Sequence, residues 1–138
     1  MAANDSISRL DAIIRPKSVA VIGASTSPGK LGHEILKNIV AGGFQGVVYP
    51  INPKADAILD LPCYAGVKDL EVAPDLAVII IPARLVPQAV RDCGEKGVKG
   101  AVIITGGFSE VGAEGEALQQ QVIEVAQQFG VRIIGPNC

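Results

Sequence analysis

"VIGASTSPGKLGHEIL", residues 21–36, carries an apolar strand into Gly23, through a loop of small residues, and out into an amphipathic helix. A strand, a glycine turn and a helix in that order open a parallel α/β sheet, and the turn is a common phosphate cradle. Working outward, the rhythm repeats to the end of the chain. "SVAVIG" (18–23), "GVVYPIN" (46–52), "DLAVIIIP" (75–82), "GAVIIT" (100–105) and "VRIIG" (131–135) read as strands, and "LPCY" (61–64) as a short edge strand. Four of these are unbroken apolar runs, the pattern of strands buried on both faces.

Helices fill the gaps. The first, about 30–42, is expected to turn Leu31, Ile35, Ile39 and Val40 inward and to stop at Gly42-Gly43. The second begins near Val86 with Pro87 in its first turn, where a missing N–H costs least, and buries Val86, Ala89, Val90 and Cys93. The third, about 113–129, buries Leu118, Val122, Val125, Ala126 and Phe129. The expected fold is α/β, a doubly wound parallel sheet with right-handed crossovers. In such sheets ligands sit beyond the carboxyl ends of the strands. If the first strand neighbours the one ending at Ile81, that edge collects the Gly23 loop, Asn52-Pro53-Lys54, Pro82-Ala83-Arg84 and "TGGFSE" (105–110).

Composition narrows the partners. The 138 residues, 49% hydrophobic and 19% charged, suit one folded domain. A net charge of −2 gives no reason to expect nucleic acid or an acidic membrane surface. No apolar run approaches the ~20 residues that span a bilayer. "MAANDSISRLDAII" (1–14) lacks the apolar core of a signal peptide. Cys63, Cys93 and Cys138, with a single histidine, make a poor metal site and read as reduced thiols of a cytoplasmic protein.

The glycine loop completes neither of two fingerprints. Against G-x-x-x-x-G-K-[ST] it has five residues between Gly23 and Gly29, and Leu31 stands where a magnesium-binding hydroxyl belongs. Against G-x-G-x-x-G, Ser25 and Pro28 occupy the second and third glycine positions. At the end of the second strand an NAD site needs a carboxylate for the ribose hydroxyls. Lys54 stands there instead, and a lysine pairs with phosphate. The ligand is therefore expected to carry a ribose phosphate beside a diphosphate, which leaves NADP and coenzyme A both open. Ser25, Thr26 and Ser27 add small donors, and the helix dipole adds ~0.3–1 kcal/mol toward an anion. His33 has no acidic partner placed to make it a base, so no catalytic set is expected.

Taken together, "RPKSVAVIGAS", "PGKLGHEIL", "VYPINPK", "PDLAVIIIPA", "GVKGAVIITGGFSEVG" and "IGPNC" resemble the CoA-binding domain of NDP-forming acyl-CoA synthetases (acetate–CoA ligase, ADP-forming). More distantly, they resemble the alpha subunit of succinyl-CoA synthetase. The resemblance runs from about residue 10 to the last and implies a Rossmann-like domain that binds coenzyme A or acyl-CoA. It implies that Gly23, Ser25, Thr26, Ser27 and Pro28 follow the CoA diphosphate and that Lys54 meets the phosphorylated ribose. It places Pro82 and Ala83 near the adenine, with Thr105, Gly106 and Gly107 along the pantetheine arm. In that family the phosphoryl group rides on a histidine of a later domain, to which His33 does not correspond, and a nucleotide-grasp domain delivers it. The chain is thus expected to be one domain, the N-terminal piece of a longer protein, inactive alone and partnered by the remaining domains or subunit of a synthetase. The alternatives are the CoA-binding regulatory part of a protein lysine acetyltransferase, a stand-alone CoA-binding protein and, from another class, an NADP-binding redox module.

Overall fold

The computed structural model describes residues 10–135. Cys138 and the last residues of "IGPNC" lie outside that range. After a helical turn at 10–14, the chain forms β1 (Ser18–Ile22), α1 (Leu31–Ala41), β2 (Val47–Ile51), β3 (Ala57–Ile58), β4 (Leu61–Pro62) and β5 (Leu76–Ile79). It continues through α2 (Val86–Lys96), β6 (Gly100–Ile103), α3 (Ala113–Phe129) and β7 (Arg132–Ile134).

Five strands make one parallel sheet in the order β2-β1-β5-β6-β7. From β1 the chain steps one way to β2. From β5 it steps the other way, through β6 to β7. Crossovers of a single hand then require α1 on one face and α2 and α3 on the other, and the packing follows. Ala20, Ile22, Ala77, Ile79, Ala101 and Ile103 lie in one cluster with Val90, Cys93, Val122 and Ala126 of α2 and α3. Val19, Val21, Leu76 and Val78 lie in a second with Leu36 of α1. The strands are apolar on both faces because both are covered.

α2 and α3 bury the faces expected of them: Val86, Ala89, Val90 and Cys93 in α2, and Val122, Val125 and Ala126 in α3, with Leu118 and Phe129 packed partly against them. α1 differs. Leu31 is 55% and Val40 44% exposed, while Gly32, His33 and Leu36 are the buried residues and Ile35 and Ile39 only partly so. The cause is Gly32. A Cβ there would lie 2.0 Å from the Gly23 carbonyl oxygen. The helix therefore presses its glycine edge onto the loop backbone, and that closest approach selects the inward face.

The segment between β2 and β5 holds an antiparallel hairpin of β3 and β4. Its turn residues, Leu59 (φ 52°) and Asp60 (φ 63°), are both left-handed. A two-residue turn of this kind favours Asn-Gly, so Leu-Asp gives no hairpin signal. The burial of Ile58, 3% exposed, holds the hairpin against the α1 face of the sheet.

Candidate functional site

Four strands end at one level. Ile22 is in register with both Ile51 and Ile79, and Ile79 with Ile103. One further ladder bond beyond each pair, Gly23 N–H to Ile51 O (3.2 Å), Ile80 N–H to Ile22 O (2.8 Å) and Ile104 N–H to Ile79 O (3.0 Å), carries the pairing to the rim. The loops after these strands therefore leave together, with β1 and β5 adjacent as the fold argument required. The chain reverses direction across the sheet at this point, where open α/β sheets bind ligands.

The glycine loop is fixed from several sides. Gly23 has φ +99°, and a Cβ on it would lie 2.1 Å from Ile80 O, so only glycine fits. Gly32 closes the loop from below, serving the close helix–strand approach of a third fingerprint glycine from four residues beyond Pro28. Ser25 Oγ accepts from Ser27 N–H (3.1 Å) and Glu34 Oε2 from Gly29 N–H (3.3 Å). His33 is buried, at 8% exposure, and its Nδ1 lies 2.9 Å from Ser25 O. Because a carbonyl only accepts, the proton sits on Nδ1.

Asn52 is engaged at every polar group. Its N–H donates to Tyr64 O (2.8 Å), its carbonyl accepts from Cys63 Sγ (3.6 Å), Nδ2 donates to Ala24 O (2.9 Å) and Oδ1 accepts from Lys54 N–H (2.8 Å). This residue ties the glycine loop to the turn that presents Lys54. The Lys54 side chain is exposed and makes no ion pair among the described residues.

Between this rim and α2 lies an open cleft of about 560 Å³. Ile22, Ile51, Ile81 and Leu85 give it an apolar floor, and Ser25, Asn52, Lys54, Gln88 and Asp92 bring polar groups to its walls. Of the residues singled out in the sequence, Gly23, Ser25, Lys54 and Pro82 line it. Thr26, Ser27 and Pro28 continue the loop as exposed residues past Ser25. Ala83 starts the 3-10 turn after Pro82. Thr105, Gly106 and Gly107 stand on the β6 rim outside the cleft lining, where a Cβ on Gly107 would meet Ala83 Cβ at 3.2 Å.

On that rim Thr105 ties backbone together. Its hydroxyl accepts from Ile81 N–H (3.1 Å) and donates to Ile81 O (2.6 Å). Glu110 folds back, and its carboxylate accepts from the N–H groups of Gly107 and of Phe108 (3.1 Å). Bonds from its own backbone N–H and from those two hold its pKa below the ordinary glutamate range. Phe108, 0% exposed, anchors the turn in the core.

Burial pushes the Cys93 thiol up to about 12, the state of an inert packing residue. Cys63 is also raised, chiefly by burial, against two weak bonds to backbone carbonyls. No cluster of three His, Cys, Asp or Glu residues that could hold a metal exists among the described residues, and none of their helices is long and apolar enough to cross a membrane.

Asn52, His33, Gly32 and Glu110 are the residues whose roles sequence reasoning missed. Asn before Pro-Lys was a usable signal, because an Asn side chain commonly bonds backbone two residues on. The other three act through contacts that only the folded loops create.

Comparison with known proteins agrees with this geometry. Residues 17–138 match the CoA binding domain family. The chain is similar to an ADP-forming acetate–CoA ligase of Methanocaldococcus jannaschii, with 54% identity over 123 residues, 89% of this chain and 17% of the relative. It is similar to an ADP-forming 4-hydroxybutyrate–CoA ligase of Nitrosopumilus maritimus, with 46% identity over 126 residues, 91% of this chain and 18% of the relative. Among solved structures it is similar to the dinucleotide-forming acetyl-coenzyme A synthetase 1 of Ca. Korarchaeum cryptofilum, with TM-score 0.89 and 45% identity over 93% of this chain and 28% of that one. The chain thus spans under a third of each of these relatives. Sheet order, rim and sequence lead to one conclusion: the chain belongs to the CoA binding domain family.

Proposed function

We propose that this chain binds coenzyme A or acyl-CoA at the rim of its sheet as the CoA-binding part of an ADP-forming acyl-CoA synthetase. The observation that carries the reading is the Lys54 ammonium, without an ion pair among the described residues, on the margin of an apolar cleft that also reaches Ser25 of the glycine loop. An apolar floor suits an adenine, a free ammonium suits the 3′-phosphate of its ribose, and a loop of free donors suits a diphosphate. In this reading Gly23 and Ser25 to Pro28 follow the diphosphate. Pro82 and Ala83 flank the adenine, and Thr105, Gly106 and Gly107 border the pantetheine path.

The parent reaction takes acyl-CoA, phosphate and ADP to acid, CoA and ATP, and runs in reverse as a ligation. The chain's only histidine, His33, is buried against the Ser25 carbonyl. The histidine that carries the phosphoryl group and the nucleotide-binding part therefore belong to the remaining domains or subunit. Relatives named for acetate and for 4-hydroxybutyrate share 54% and 46% identity with this one chain. That supports a domain that reads the CoA common to both and leaves the choice of acid to other parts.

Calorimetric titration with CoA, dephospho-CoA, NADP and NAD in parallel tests the proposal. CoA is expected to bind, dephospho-CoA to bind more weakly, and neither nicotinamide cofactor to bind. NADP binding without a CoA response would overturn it in favour of a redox module.

A further inference from the structure

We propose that His33 and Asn52 are positioning residues that lock two successive peptide groups of the glycine loop so that the Ser25 and Thr26 N–H groups face the ligand. The inference rests on the reading that this loop holds the CoA diphosphate, and it adds what gives the loop its anion-binding form. In a trans peptide the carbonyl and the following N–H point in opposite directions. Asn52 Nδ2 holds Ala24 O at 2.9 Å, which turns the Ser25 N–H away from β2. His33 Nδ1 holds Ser25 O at 2.9 Å, which turns the Thr26 N–H away from α1. Neither N–H has an acceptor among the described residues.

The locks come from opposite sides. Asn52 ends β2, and its own amide is fixed at both ends, by Ala24 O and by Lys54 N–H. His33 lies in the first turn of α1, next to the glycine that seats the helix on the loop. Without them either peptide could rotate and present a carbonyl oxygen to the phosphate, where like partial charges repel. Both bonds lie within the protein itself, so in this assignment the orientation is set by the fold and not by contacts from the ligand.

Each lock reads through its own N–H, which separates positioning from general support of the fold. In wild-type protein the amide resonances of Ser25 and Thr26 are expected to shift strongly when CoA or inorganic pyrophosphate is added. In His33→Leu the Thr26 response is lost, and in Asn52→Ala the Ser25 response. His33→Leu is expected to weaken CoA at least ~10-fold, the scale of a lost bond to a charged group. In His33→Asn the Nδ2 stands as many bonds from Cα as Nδ1 does, so this variant should recover CoA affinity to within about threefold.

A folded His33→Leu protein with wild-type affinity, or a folded His33→Asn protein as weak as the Leu variant, would overturn the assignment. If the Leu variant does not fold, wild-type protein decides: a CoA response in the loop that leaves the Ser25 and Thr26 amides unmoved refutes it. Absence of CoA binding by wild-type protein, or binding with no response anywhere in residues 23–29, is the separate failure of the CoA reading itself.

Discussion

Lys54 owes its place to Asn52. The turn that projects its ammonium over the cleft is closed by the Lys54 N–H on Asn52 Oδ1 (2.8 Å), and nothing among the described residues competes for the charge. Lys54→Ala should therefore leave the fold intact and weaken CoA by about tenfold or more, the scale of a charge-assisted bond, while changing dephospho-CoA little. Titration of both ligands against the variant checks this, and equal loss for the two would remove Lys54 from the 3′-phosphate. At this scale the sequence was legible where a residue acts through its own chemistry. Cys93 at helical spacing announces a core position, which its 0% exposure bears out, and Lys54, expected at the ligand edge of the sheet, is exposed and lines the cleft. His33 was not legible. Its lack of an acidic partner spoke only against a base, and nothing in the sequence marked it as buried with its proton aimed at Ser25, a bond that depends on how the loop folds back over α1.

Among the elements, the strands of the main sheet and α3 were legible to within three residues at their ends, because burial on both sheet faces writes an uninterrupted apolar run and α3 is a long periodic segment ended by glycine. α1 was legible in extent and misread in rotation, since periodicity reports which residues are apolar and Gly32 is silent in that count. Gly32→Ala tests the explanation directly. In an exposed helix the change should gain about 1 kcal/mol from propensity. Here the added Cβ falls 2.0 Å from Gly23 O, a backbone atom of a residue whose own N–H is held by Ile51 O, so the overpacking cost of about 1–3 kcal/mol should prevail. Thermal unfolding is expected to show a net loss of stability together with weaker CoA binding. A more stable variant would mean that the loop yields easily. The hairpin of β3 and β4 was half legible: its second strand was marked, and its first was hidden by a Leu-Asp turn without the usual turn residues.

For the whole molecule, the doubly wound order made the rim foreseeable, because four strands with matched ends can only deliver their loops to one edge. What composition could not show is how the rim divides. Gly23, Ser25, Lys54 and Pro82 share the cleft against α2, while Thr105 spends its hydroxyl on Ile81. In the proposed reading the phosphoryl group is carried outside these residues, since His33, the one histidine of the chain, is enclosed. Mixed with acetate, CoA and ATP, the chain alone is expected to yield no acyl-CoA, as thioester assay would show, and turnover would place the chemistry within these residues. The level strand ends also bear on protein engineering. Ile22, Ile51, Ile79 and Ile103 are in register, and the connections after β5 and β6 can be exchanged only together, as one cassette that keeps the Thr105–Ile81 bonds and the buried Phe108. The loop after β1 is the exception: it forms a closed circuit through Gly32, His33 and Asn52, and a graft that moves residues 23–30 without those three would transplant a sequence and leave its shape behind.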